Sequence, residues 1–338
     1  MAQKKMGKQT LQFSSAPVIT SAAAVVGPKE GQGPLGDKYD MVCDDTYLGE
    51  KTWENAEQKM MQYSMELALE KRGLLPADLD FYLAGDLLNQ IISANYTARF
   101  LNAPFLGLYG ACSTMAEGLC LAGILLEGGF GERIGVSVSS HHDTAERQFR
   151  YPTELGAQRP MTAQWTVTGG GSCVLERIGT GVKLTHATIG KIKDMGVSNS
   201  NDLGSAMAPA ALDTIKTHLE DLGRKVDDYD LIITGDLGIF GHTLLKELMQ
   251  KEGYPVERLS DCGVLIYDPN QDTHSGGSGC GCSAVVLAAH LMEKLHKGEY
   301  QRIFFVGTGA LLSPISVFQG ETIPCIAHGV VLEAPSNE

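Results

Sequence analysis

The chain contains no run of about 18 consecutive apolar residues, so it carries no candidate bilayer-spanning helix of its own. Positive charge is also scarce. Lys and Arg number 27 against 40 Asp and Glu, and the formal net charge of −13 opposes both nucleic-acid phosphates and an anionic lipid surface. Neither DNA nor RNA is an expected partner. Lys4, Lys5 and Lys8 are not followed by an apolar stretch, because Gln9, Thr10, Gln12, Ser14 and Ser15 interrupt it, so signal-peptide secretion is not expected. The eight cysteines, at 43, 112, 120, 173, 262, 280, 282 and 325, lack the paired spacings of a zinc site or a small disulfide scaffold. That usage fits a reducing compartment. Cys280 and Cys282, in a Gly/Ser-rich stretch, read as small-residue packing, and no metal site is expected.

What the chain does have is length and repetition. Its 338 residues, 43% hydrophobic, suffice for one large core or two halves of about 150 residues. Hydrophobic periodicity alternates helix and strand, the pattern of an α/β fold. Glu57 to Gly73 reads as a helix with a stripe of Met61, Met65, Leu67 and Leu69 and a glycine stop, and Phe81 to Ala84 reads as a strand. Leu69, Glu70, Gly73, Asp78, Asp80, Gly85, Asp86 and Leu87 recur as Leu219, Glu220, Gly223, Asp228, Asp230, Gly235, Asp236 and Leu237 in unbroken register. An internal duplication follows. Cys112-Ser113 opens one Ala/Leu-rich helix and His274-Ser275 another, while Glu132-Arg133-Ile134 and Gln301-Arg302-Ile303 each precede a strand. The expected division is 1–177 and 178–338, with a cleft between the halves. A glycine turn at Gly169-Gly170-Gly171 is expected near the end of the first half, and 139–165 reads as a long loop excursion.

Cys112 follows the strand-like run Phe105 to Tyr109 and the Gly110-Ala111 turn, and precedes a helix from about Met115 to Leu126. Free N–H groups at that helix start would favour a thiolate and can hold an anion; the plain alternative is an inert buried cysteine. His274 sits in a small-residue loop and can act as a base or a donor, or be an ordinary surface histidine. Asp86 and Asp236 end the central strands of the two halves, where ligands of open sheets bind, although each can equally cap the next helix. His141, His142 and Asp143 invite a metal, yet neighbouring side chains point apart. Arg147, Arg150 and Arg159 can complement ligand carboxylates or form a surface charge network.

The Gly110-Ala111-Cys112-Ser113 turn, the Gly169-Gly170-Gly171 segment, the His274 loop and the Gly307-Thr308-Gly309 loop together resemble the thiolase and ketoacyl-synthase superfamily over nearly the whole chain. The stretch from Ser139 to Pro152 and Gln164-Trp165-Thr166 resemble a sporulation family within it. The resemblance implies a thiolase-like fold of duplicated α-β-α-β-α layers and a homodimer. It assigns Cys112 to the nucleophile and His274 to an assisting position. The other assisting position falls near Asp236, and an ionised carboxylate there cannot donate to an oxyanion. The family implies binding of dipicolinic acid, pyridine-2,6-dicarboxylate, and a part in its uptake into the developing spore. The setting it implies is peripheral to the inner membrane of the forespore, beside other stage V sporulation membrane proteins, with Ca2+ accompanying the ligand. The implied ligand set is Cys112, Asp86, His142, Arg150, Asp236, His274, Gly307, Thr308 and Gly309. The alternative is a working acyltransferase that uses coenzyme A thioesters, with Cys112 as nucleophile and His274 as base.

Overall fold

Runs of β-branched and small apolar residues set the strands, most of which are buried on both faces. The computed structural model describes residues 4–149 and 159–335. The first half supplies β1 (Val18–Val26), β2 (Phe81–Gly85), β3 (Phe105–Gly107), β4 (Arg133–Ser140) and β5 (Gly169–Glu176). The second supplies β6 (Val182–Thr188), β7 (Leu231–Thr234), β8 (Leu259–Asp261), β9 (Arg302–Ala310) and β10 (Cys325–Glu333). They follow one path, β8-β7-β9-β10-β6-β1-β5-β4-β2-β3, so the strand order within each half is the same. The sense is also the same: β2 pairs in parallel with β3 and β4, as β7 does with β8 and β9, while β5 and β10 run antiparallel to both neighbours. The halves touch along the path only where Val182 and Lys183 meet Ile19 and Val18.

The helices are α1 (Trp53–Arg72), α2 (Ile92–Leu101), α3 (Thr114–Glu127), α4 (His142–Phe149), α5 (Leu203–Leu222), α6 (Gly238–Lys251) and α7 (Cys280–Val286), the last prolonged to His296 through a π-turn. α1 buries Met61, Met65 and Leu69, leaves Leu67 half-buried, and stops at Gly73 in the left-handed region, φ 67°. Gly169, Gly170 and Gly171 lie inside β5 rather than in the turn expected of them. A Cβ on Gly170 would lie 3.0 Å from the Met60 backbone, and one on Gly171 2.5 Å from that of Ala284. Successive strand residues face opposite sides, so α1 and α7 press on the two faces of β5 too closely for side chains. α3 lies between the two strand sets: a Cβ on its Gly118 would lie 2.6 Å from Val136 of β4, and one on Gly307 of β9 would lie 2.8 Å from Ala116 of α3.

Repeated residues make repeated bonds. Asp80 accepts from the N–H groups of Glu132 and Arg133 at 2.6 and 2.9 Å, and Asp230 from those of Gln301 and Arg302 at 2.7 and 3.0 Å. Asp78 caps the Leu75 N–H and Asp228 the Lys225 N–H, each at 2.7 Å. Two local expectations change. The second Ala/Leu-rich helix begins at Cys280, not at His274-Ser275, because 277–278 form a short strand and Gly279 takes φ 95°. Within the expected excursion, 142–149 is helix α4. The N-terminal Thr10–Gln12 pairs with β6 of the second half, and Asp221 of α5 accepts from the N–H groups of Lys8, Gln9 and Thr10. Among the described residues no helix is long and apolar enough to cross a membrane.

Candidate functional site

The turn from Gly110 to Ser113 ends the β3 segment with Ala111 in a left-handed conformation, φ 49°, and delivers Cys112 just before α3. Gly309 permits this, since a Cβ there would fall 2.3 Å from the Gly110 carbonyl oxygen. Cys112 is 6% exposed and looks into a narrow cavity of about 40 Å³, walled among others by Leu87, Tyr109, Ala145, Thr166, Ser278 and Leu312. That is room for a few waters.

Asp236 stands against the thiol. It is fully buried, and its carboxylate accepts from the Thr308 hydroxyl at 2.9 Å, from the Gly279 N–H at 2.9 Å and from the Ser278 hydroxyl at 3.3 Å. Burial pushes its pKa up to about 6, against the pull of those donors. Burial first, and then the Asp236 charge, push the Cys112 thiol well above the ordinary thiol range. The thiolate expected from a helix start is therefore corrected: burial and the neighbouring Asp236 carboxylate favour the thiol. Two N–H groups at the turn are also taken, Ser113 donating to the Gly110 carbonyl at 3.1 Å and Thr114 to that of Ala111 at 3.3 Å.

The other expected residues divide. Thr308 joins the site through Asp236, but Gly307 and Gly309 lie behind the Cys112 turn, where their role is close approach to Ser113 and Gly110. Asp86 caps α2: its carboxylate accepts from the N–H groups of Leu88 and Ala94, both at 2.8 Å, and Leu87 rather than Asp86 walls the cavity. His142 heads α4 and stacks on Trp165 with ring centroids 3.6 Å apart, while His141 bonds the Thr46 carbonyl at 2.8 Å, so the paired imidazoles go to different partners. Among the described residues no group of three His, Cys, Asp or Glu is arranged to hold a metal ion.

His274 is not brought to the Cys112 cavity. Its backbone takes φ 52°, its Nδ1 pairs with the Pro160 carbonyl at 2.8 Å, and its Nε2 lies 3.2 Å from Asp272. It walls a second, open cavity of about 660 Å³ with Arg159, Pro160, Met161 and Asp272. Arg147 pairs with Glu54, and Arg150 lies outside the described residues. The sequence reading missed Ser278, the Gly279 N–H and Gln164, whose side chain donates to the Asp236 carbonyl at 2.6 Å. The available signal was the run Gly276 to Gly279, small residues that let backbone close on a buried carboxylate. Lys29, whose ammonium lies 4.2 Å from the Trp165 ring centroid, carried no signal.

Comparison with known proteins agrees with the fold. Solved structures similar in fold include 3-oxoacyl-[acyl-carrier-protein] synthase III from Aquifex aeolicus, 14% identical, TM-score 0.60, with 94% of this chain and 99% of that one covered. OleA from Xanthomonas campestris is 14% identical with TM-score 0.62, covering 95% and 97%. The topology is thus thiolase-like. Stage V sporulation protein AD of Bacillus subtilis is 50% identical over 331 residues, 98% of each chain. The family model described as stage V sporulation protein AD (SpoVAD) matches residues 7–333, and this chain belongs to that family of sporulation proteins.

Proposed function

We propose that the protein binds dipicolinic acid and serves its uptake into the developing spore without chemistry of its own, as a peripheral part of a membrane complex with other stage V sporulation proteins. The reading is carried by one observation: the buried Asp236 carboxylate stands beside Cys112 where a condensing enzyme needs a donor toward an oxyanion. A carboxylate there stabilises thiol over thiolate and opposes negative charge developing on a bound carbonyl. Family membership supports the sporulation role. The second reading, an acyltransferase, draws on the position of Cys112 at a turn before α3 and facing a cavity; an acyl adduct on that residue would favour it.

The same proposal takes the halves, 1–177 and 178–338, as copies forming five layers, α-β-α-β-α. It is supported by the shared strand order and by the paired bonds of Asp80 and Asp230. A homodimer is proposed through β3, an edge strand flanked by the exposed side chains of Tyr96, Phe100, Leu106 and Tyr109. Calorimetric titration with dipicolinate tests the ligand. Saturable binding is expected, and the absence of binding at millimolar ligand would overturn the reading.

A further inference from the structure

We propose that the N-terminal strand Thr10–Gln12 is an acid-released strap: it stays on the edge of β6 only while two buried histidines behind it, His218 of α5 and His328 of β10, are uncharged. The strand pairs through Thr10, Leu11 and Gln12 with Thr188, Ala187 and His186 of β6. Two hydrogen-bond chains run inward from this segment, and each ends on one of the two imidazoles. Release would bare the β6 N–H and C=O groups that the strand now covers.

The first chain has a direction. The Arg224 Nη1 can only donate, and it reaches the Tyr229 hydroxyl oxygen at 3.1 Å. That hydroxyl lies 2.6 Å from His218 Nε2, His218 Nδ1 lies 2.7 Å from the Thr188 hydroxyl, and Thr188 lies 3.0 Å from the Thr10 hydroxyl. The Tyr229 proton is used in this chain only if it goes to Nε2, so Nδ1 carries the ring proton and donates to Thr188. A second ring proton would set two donors against each other at Nε2, where His218 is fully buried. The second chain is shorter. The Gln9 carbonyl accepts from the Ile189 N–H at 3.1 Å, and its side-chain amide donates to the Ile189 carbonyl at 2.9 Å. The next N–H, that of Gly190, donates to His328 Nδ1 at 3.1 Å, and a protonated imidazole has no lone pair to accept it.

Neighbouring charges also oppose a proton on His218. Burial first, then His186 of β6 and Arg224, hold its pKa well below the ordinary imidazole value, with Asp221 of α5 pulling the other way. His186 is lowered to about 4 by burial and Arg224, with Arg302 adding to them and Glu333 opposing. Burial lowers His328 to about 4. Asp221 accepts from the N–H groups of Lys8, Gln9 and Thr10; burial raises its pKa, but those donors outweigh it, so the carboxylate stays ionised between pH 7 and pH 5. Acid in that window therefore acts on the histidines. A histidine whose folded pKa is lowered contributes stability that is present above its free value, about 6.5, and lost as pH falls toward the folded one.

The test is amide hydrogen exchange of the full chain from pH 7 to pH 5, corrected for the intrinsic rate at each pH, with β4 as the internal control. The opening constant of residues 8–12 is expected to rise about thirtyfold or more, the amount that one released histidine supplies. In the double variant His218→Gln with His328→Gln, whose amides can donate and accept without titrating, the rise should be at least about tenfold smaller. A wild-type opening constant that does not move with pH, or an equal rise in the double variant, would overturn the strap. Should the double variant lose its circular dichroism, hydrogen exchange at the imidazole C2 carbons of the wild type decides. Midpoints for His218 and His328 below about pH 5.5 uphold the inference, and midpoints at or above it overturn it.

Discussion

Asp86 and Asp236 hold the same place in the two halves, each directly after the glycine that follows or closes a central strand, yet they do opposite work. Asp86 turns to its own half and satisfies two N–H groups around the start of α2, at Leu88 and Ala94. Asp236 faces Cys112 across the interface, accepts from Ser278 and Gly279 of its own half, and leaves capping of the next helix to Asp261, which accepts from Leu237 and Gly238 at 2.9 Å. A second aspartate, from β8, frees the first for the site. The equivalent place at the end of β3 is Gly107, so Asp86 remains structural.

The comparison breaks most visibly at the structural member. Asp86→Ala strands two buried N–H groups and is expected to cost about 3 kcal/mol in urea denaturation, leaving Cys112 reactivity unchanged. A loss below about 1 kcal/mol would contradict the capping role.

Next is Glu57, fully buried beside Asp86, which accepts from Ser139 and Thr144; burial pushes its pKa up to about 8. A raised carboxyl pKa contributes stability that is present below the unfolded value and lost as pH rises through the folded one. The chain is therefore expected to lose about 2–3 kcal/mol between pH 5 and 8, and Glu57→Gln to flatten that slope. Denaturant midpoints across that window check it; equal slopes in both proteins would refute the assignment.

For the site member, Asp236→Asn removes the charge that stabilises the thiol. The alkylation profile of Cys112 by iodoacetamide, read by peptide mass, should move down by about one pH unit. An unmoved profile would mean that burial alone holds the proton. The smallest expected effects are at Gly73 and Gly223, with φ 67° and 62° and nothing within 4 Å of an added Cβ. Gly73→Ala and Gly223→Ala should each cost about 1 kcal/mol. Unequal costs would show that the repeat is not equivalent even in its caps.

Much of the frame was legible in the sequence because it is written in local, repeated signals. Gly73 and Gly223, Asp78 and Asp228, and Asp80 and Asp230 do the same task at the same register. The departure at Asp236 was legible too, since an aspartate stands where the resembling enzymes use a donor. What stayed hidden depends on contacts between distant segments and on backbone sign. Burial of Cys112 against Asp236 overrides the helix-start effect that its local pattern suggested. The positive φ of His274, unsignalled in a non-glycine residue, places its imidazole beside Pro160 and Asp272 rather than at Cys112. Lys29 reaches Trp165 only through the fold.

The central claim, that Cys112 is kept from chemistry by Asp236, is tested most directly by intact-mass measurement after incubating the wild-type chain with acetyl-coenzyme A at pH 7. The expected spectrum is that of unmodified protein. A stoichiometric acetyl adduct mapping to Cys112 would contradict the account and make the protein a working acyltransferase.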